Sequence, residues 1–308
     1  LESIFGRASE PTDGVFRSGF VAVVGRPNVG KSTITNAFVG DKIAIVSPKP
    51  QTTRRRILGI RTTDAAQAIF VDTPGIHRPR TPLGSYMVKV ARDAIPDADV
   101  VVWVVDASVP PRALDERVGG MVQRSGRPTI IALNKTDKLA PEDVAARIAS
   151  FTALAGEGAG WELTIATRRH NLDRLWALIV AQLPPGPLYF PADQISDQTD
   201  RMLVCEMVRE AALYRLEDEV PHGIEVAIEE WAERENGVTV IHARLFVERE
   251  GHKAIVIGKG GAVLKEIGMH ARKQIEAMIE GPVYLEIQVA VRRDWRRSAE
   301  ETKRLGYA

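Results

Sequence analysis

The chain has 308 residues, a formal net charge of +1 and 44% hydrophobic residues, which describe a globular protein of about two domains at ~100–200 residues each. A single cysteine, Cys205, excludes a disulfide framework, and the scattered histidines show no heavy-metal ligand spacing. The longest apolar run, Val100 to Val105, lies between Asp99 and Asp106 and falls far short of the ~20 residues that span a bilayer; with no secretory signal recognisable, a reducing, cytoplasmic setting is expected.

Residues 1–17 are polar, carry Gly6, Pro11 and Gly14, and read as a loose tail. From Gly19 strands and helices alternate. Strands are expected near 20–24, 57–61, 67–72, 99–105, 129–134 and 162–166, and helices near 31–39, 82–94, 112–125, 141–155 and 171–182. Strands apolar on both faces, such as 100–105, belong in the middle of a parallel sheet covered by helices on both sides. The expected fold class is therefore α/β, with a mostly parallel six-stranded sheet. Ligands in such sheets bind beyond the carboxyl ends of the strands.

The first such end carries Gly25-Arg26-Pro27-Asn28-Val29-Gly30-Lys31-Ser32, which fits the phosphate-cradling pattern G-x-x-x-x-G-K-[ST] between a strand and a helix that continues through Thr33. The glycines let backbone amides curl around phosphate oxygens, and the helix start presents free N–H groups to an anion. Lys31 supplies a point charge, and the Ser32 hydroxyl can ligate Mg²⁺. Asp72-Thr73-Pro74-Gly75 follows a second apolar strand, so Asp72 can hold Mg²⁺ through water and Gly75 can bring an amide to the γ-phosphate. Thr52 and Thr53 lie in a polar loop between them; either can complete the Mg²⁺ shell, and Thr53 is favoured. Asn134-Lys135-Thr136-Asp137 follows a third strand. The Asp137 carboxylate can accept from guanine N1–H and N2–H₂, a donor pair that adenine lacks, with Asn134 bracing the neighbouring loops and Lys135 covering the base. Such a site rejects the wrong base by several powers of ten. The expected ligands are thus GTP or GDP with Mg²⁺.

Pro184-Pro185-Gly186-Pro187 ends the alternation. Prolines at that density read as a stiff linker, so the boundaries are set at 18–185 for the nucleotide domain, 186–196 for the linker and 197–308 for a second domain. The net charge is +5 over residues 1–195, −8 over 196–250 and +4 over 251–308. The second domain reads as a helix over 199–216, strands over 224–231 and 238–247 joined at Asn236-Gly237, the loop Gly258-Lys259-Gly260-Gly261, an amphipathic helix and a last strand over 282–291. Small residues let a nucleic-acid backbone approach such a loop, and Lys259, Lys265, Arg272 and Lys273 add positive charge. Arg292, Arg293, Arg296 and Arg297 form either further phosphate contacts or a solvated basic tail.

The motifs in this order resemble the translation-factor-type GTPases, and more closely the Era branch. The P-loop Gly25–Ser32, the switch segment Gln51-Thr52-Thr53-Arg54, the run Asp72–His77 and the segments Val247–Gly251 and Val256–Gly258 all match it, so the resemblance covers nearly all of 18–307. It implies a P-loop G domain followed by an α+β type II KH domain, in a monomer that binds the 3′ end of small-subunit ribosomal RNA and assists 30S subunit biogenesis. It also implies that Lys31, Thr53, Gly75 and Asn28 carry catalysis. Ile76 stands where many GTPases place a water-orienting Gln. Asn28 matches the asparagine with which related enzymes hold K⁺ beside the phosphates, so slow, K⁺-stimulated hydrolysis is expected. Ile165 stands where the family has Ser, leaving the Ala166 amide to meet guanine O6. Two other readings are an RNA-binding protein with a non-hydrolysing nucleotide domain, and a GTP-controlled hub held peripherally at an anionic membrane.

Overall fold

The computed structural model describes residues 14–307; of the expected N-terminal tail, residues 1–13 lie outside them. The chain forms two compact units. The first comprises residues 14–44, 53–79 and 87–197, and the second comprises Ile45–Thr52, Arg80–Tyr86 and 198–307.

The elements of the first unit run β1 (Arg17–Val24), α1 (Lys31–Val39), β2 (Ile57–Thr62), β3 (Ala66–Asp72), α2 (Pro82–Asp93, whose first turn falls in the second unit), β4 (Val100–Asp106), α3 (Ala113–Ser125), β5 (Thr129–Asn134), α4 (Val144–Ala155), β6 (Gly160–Thr164) and α5 (Leu172–Gln182). The strands form one sheet in the order β2-β3-β1-β4-β5-β6. All pairs are parallel except β2 with β3. The period-2 alternation of strand side chains feeds two cores. Val21, Val23, Val100, Val102 and Val104 pack with Ile34, Phe38, Leu175 and Trp176, on the side of α1 and α5. Ala22, Val24, Val101, Trp103 and Val105 pack with Ala91, Val118 and Phe151, on the side of α2, α3 and α4. Both faces are therefore buried, which is why these strands carry apolar residues at every position.

The segment expected as a linker is tied along the sheet edge instead. The Ile60 amide donates to Ile195 O at 2.8 Å, the Leu58 amide to Asp197 Oδ1 at 3.0 Å, and the Gln67 side chain bonds the backbone of Tyr189 and Phe190. Prolines are compatible with an edge, where half of the amides need no ladder partner.

In the second unit α6 (Asp200–Arg215) precedes β7 (Glu225–Glu233) and β8 (Thr239–Val247). Then come α7 (Glu250–Ile257), α8 (Ala262–Ile279), β9 (Val283–Val291) and α9 (Ala299–Arg304). The sheet order is β7-β8-β9, with β8 parallel to β9, and α6 and α8 bury Val204, Val208, Ile267, Ala271 and Ile275 against Ile241, Ala243 and Leu245. Helices α7 and α9 were not expected from the sequence; in the β-branched run Ile255-Val256-Ile257 of α7 only Val256 is buried. The basic tail is largely structural. Arg292 Nε lies 3.3 Å from Glu301, Arg296 pairs with the buried Glu248, and Trp295 is fully buried with its Nε1–H on Gly223 O at 2.9 Å. Among the described residues no helix is long and apolar enough to cross a membrane.

Candidate functional site

The order β3-β1-β4 brings the loops after three neighbouring strands to one edge of the first unit. The loop after β1 is the phosphate cradle. Gly30 has φ +106°, and a Cβ there would stand 2.2 Å from Asn134 Nδ2, so only glycine closes the loop against that side chain. Lys31 is buried, with Nζ donating to Arg26 O at 3.0 Å. Arg26 is itself pinned by the fully buried Asp115, Nε to Oδ1 3.1 Å.

Ser32, Asp72 and Thr53 meet at one point. The Ser32 hydroxyl donates to Asp72 Oδ2 at 2.6 Å and lies 2.8 Å from Thr53 Oγ1. Thr52 is turned away, its hydroxyl donating to Lys49 O at 2.7 Å. Asp72 is fully buried and its Oδ1 has no hydrogen-bond partner. Burial pushes the Asp72 carboxyl up to about 6, against the opposing effects of the Ser32 hydrogen bond and the Lys31 charge. Burial likewise brings the Lys31 ammonium down to about 8. Both shifts disfavour the charged forms, so the pair detracts from stability at neutral pH. Hard oxygen donors converging beside an orphaned carboxylate oxygen fit Mg²⁺.

Gly75 follows Asp72 in tight contact with the cradle: a Cβ on it would stand 2.6 Å from Pro27 Cα. Ile76 is fully buried among Ala22, Val24 and Ala91, and its amide donates to Gly25 O at 3.0 Å. It faces the core, not the phosphates. His77 Nδ1 lies 2.8 Å from Gly75 O.

On the base side, Asn134 joins three loops. Its Nδ2 donates to Val29 O at 2.8 Å, while its Oδ1 accepts from the Ala166 amide at 2.9 Å and the Thr164 hydroxyl at 3.3 Å. The Ala166 amide, expected at guanine O6, is thus engaged by Asn134: Ile165 brings no hydroxyl to the loop, and this amide with Thr164 takes up that oxygen. Lys135 Nζ bridges Asn28 O at 2.7 Å and Asp106 Oδ2 at 2.8 Å. Asn28 is held in the left-handed region at φ 62°, and Asp137 stands exposed. Burial would raise the Asp106 carboxyl, but hydrogen bonds from Lys135 and Ser108 hold it below its ordinary value. Sequence reasoning missed Asp106 and Asp115. Asp106 had a signal, since it ends β4 beside the cradle; Asp115 had none, lying in the first turn of a helix.

In the second unit, Gly258, Gly260 and Gly261 all have positive φ, and a Cβ at Gly260 or Gly261 would meet nothing within 4 Å. The loop therefore leaves room for a ligand backbone, and α8 starts directly behind it. Lys259, Lys265, Arg272 and Lys273 are exposed, with Arg272 Nε 3.6 Å from Glu276.

Residues 20–135 match the family described as 50S ribosome-binding GTPase, and residues 219–296 match the KH domain. The chain is 43% identical over 294 residues to GTPase Era of Heliobacterium modesticaldum, covering 94% of this chain and 97% of that one. It is 41% identical to GTPase Era of Deinococcus radiodurans over 310 residues, covering 98% and 99%. Among solved structures it resembles Era in complex with MgGDPNP and nucleotides 1506–1542 of 16S ribosomal RNA, at 40% identity, TM-score 0.91 and coverage of 95% and 99%. A variant of Aquifex aeolicus Era bound to GDP and AlF4⁻ gives the same identity and TM-score, covering 95% and 100%.

The two shifted groups set a pH window for nucleotide binding. Mg²⁺ needs Asp72 as the carboxylate, so below its raised value of about 6 binding must release a proton and weakens as pH falls. Phosphate needs Lys31 charged, so above about 8 binding must take up a proton and weakens as pH rises. Titration of Mg²⁺–nucleotide affinity from acid to alkaline pH, corrected for the nucleotide's own protonation, is expected to give a plateau between these limits; a flat profile across both would contradict the assignment.

Proposed function

Because the chain belongs to the Era family of GTPases, we propose that it hydrolyses GTP to control how its KH domain holds the 3′ end of small-subunit ribosomal RNA during 30S subunit biogenesis. The convergence of Ser32, Thr53 and Asp72 carries the nucleotide half of this reading. The glycine loop with its exposed cations, together with the relative solved on 16S ribosomal RNA, supports the other half. The reading places the protein in the cytoplasm as a monomer. Arg292 and Arg296 already face carboxylates, whereas the cations beside the glycine loop, Lys259, Lys265, Arg272 and Lys273, are exposed.

The residues divide the work as follows. The amides of 25–32 and the start of α1 cradle the phosphates, and Lys31 neutralises the charge that develops on them. Ser32 and Thr53 would hold Mg²⁺, with Asp72 behind them reaching it through water, and the ion would supply charge neutralisation at the phosphates. The Gly75 amide faces the γ-phosphate. Asp137 reads guanine, with Lys135 over the base and Asn134 holding the loops.

Ile76 is committed to the core, so no side chain at that position orients the attacking water. Asn28, whose carbonyl accepts from Lys135, would hold K⁺ beside the phosphates. Turnover is therefore expected to be several-fold faster in K⁺ than in Na⁺ at matched ionic strength, and equal rates would remove the monovalent ion from the mechanism. For the RNA half, Lys259→Ala and Lys265→Ala are each expected to weaken RNA binding and to lower the slope of log affinity against log salt by about one phosphate contact, roughly 0.7 for a single strand. An unchanged affinity and slope would place the RNA elsewhere.

A further inference from the structure

The switch loop that precedes Thr53 belongs to the second unit. Ile45–Thr52 is held there at both ends by two successive residues of α6. Glu210 Oε1 accepts from the Val46 amide at 3.0 Å. Arg209 donates through Nη2 to the carbonyl oxygen of Thr52 and pairs with Glu206. Between these anchors the loop ties itself together, with the Lys49 amide on Ser47 Oγ at 3.0 Å and the Thr52 hydroxyl on Lys49 O at 2.7 Å.

Two adjacent charged residues are buried here, Arg209 at 1% and Glu210 at 2% exposure. Burying charge on a helix is unfavourable unless partners satisfy it, and apolar residues would fill the same volume with less penalty. Burial alone would lower the Arg209 pKa; the Glu206 carboxylate reverses this and keeps the guanidinium firmly charged. The feature that these charges satisfy is the switch-loop backbone. One peptide bond beyond the carbonyl that Arg209 holds, the Thr53 hydroxyl lies 2.8 Å from Ser32 Oγ in the first unit.

We propose that Arg209 and Glu210 are positioning residues for Thr53, clamping the switch loop so that the Thr53 hydroxyl is presented to the metal and the γ-phosphate. The proposal rests on the reading of Thr53 as a metal ligand. A loop already ordered by α6 loses less backbone freedom when the nucleotide closes it. The clamp thus favours the nucleotide that uses Thr53, the triphosphate, and leaves the diphosphate unaffected.

The test uses the full chain with Mg²⁺, and measures affinity for GDP and for a non-hydrolysable GTP analogue alongside thermal unfolding. Glu210→Ala and Arg209→Met are expected to weaken the analogue about tenfold, within the usual range of coupling, and to leave GDP within about twofold. Glu210→Gln keeps the accepting oxygen and is expected to restore the analogue. Val46→Pro removes the donated N–H from the loop side and keeps the test open should an α6 variant fail to fold. Thr53→Ala must show the same selective loss; if it does not, the reading of Thr53 as ligand fails. If Thr53→Ala is selective while the α6 and Val46 variants either match the parent or weaken both nucleotides equally, the clamp is only structural and the proposal is overturned.

Discussion

The Ser32 hydroxyl touches Asp72 and Thr53 together, and through them joins the P-loop to the ends of two other segments. That contact is possible because β1 lies between β3 and β4. The loop after β1 and the carboxyl end of β3 then arrive side by side, with Asp72 paired in register with Val23. Asp72 and Lys31 are both buried and both shifted toward their neutral forms. A site of this kind is poised for ligands that restore the charge: a divalent cation for the carboxylate and phosphate for the lysine.

The base side is organised around Asn134, whose two amide ends hold the P-loop and the loop after β6 at once. Lys135 adds a second tie from the P-loop to Asp106. These contacts tie the segment that carries Asp137 to the phosphate cradle. At the loop after β6, where Ile165 carries no hydroxyl, the Thr164 hydroxyl and the Ala166 amide both donate to Asn134.

The sheet and its helices were legible because each is dictated locally, above all by strands apolar on both faces; the glycine pattern after β1 and the carboxylate that closes β3 stand out in the same way. What escaped was set by distant parts of the chain. Residues 186–196 read as a stiff linker, but their backbone finds partners on the edge strand β2. Helix α7 hides behind β-branched residues. Arg209 and Glu210 look like ordinary surface charges in an amphipathic helix, and only the fold reveals that they are buried against residues 45–52. Ile76 was legible as a missing glutamine; its burial in the core supplies the reason that it takes no part in orienting water.

The account turns on Thr53 and Ser32 sharing one metal ion while Asp72 stands behind it. A crystal structure of the full chain with Mg²⁺ and a non-hydrolysable GTP analogue tests this most directly. The account predicts Ser32 Oγ and Thr53 Oγ1 both at about 2.0–2.1 Å from the ion, the usual Mg²⁺–oxygen distance, with Asp72 reaching it through a water. A Thr53 hydroxyl turned out of the coordination shell, with Thr52 or water in its place, would contradict it.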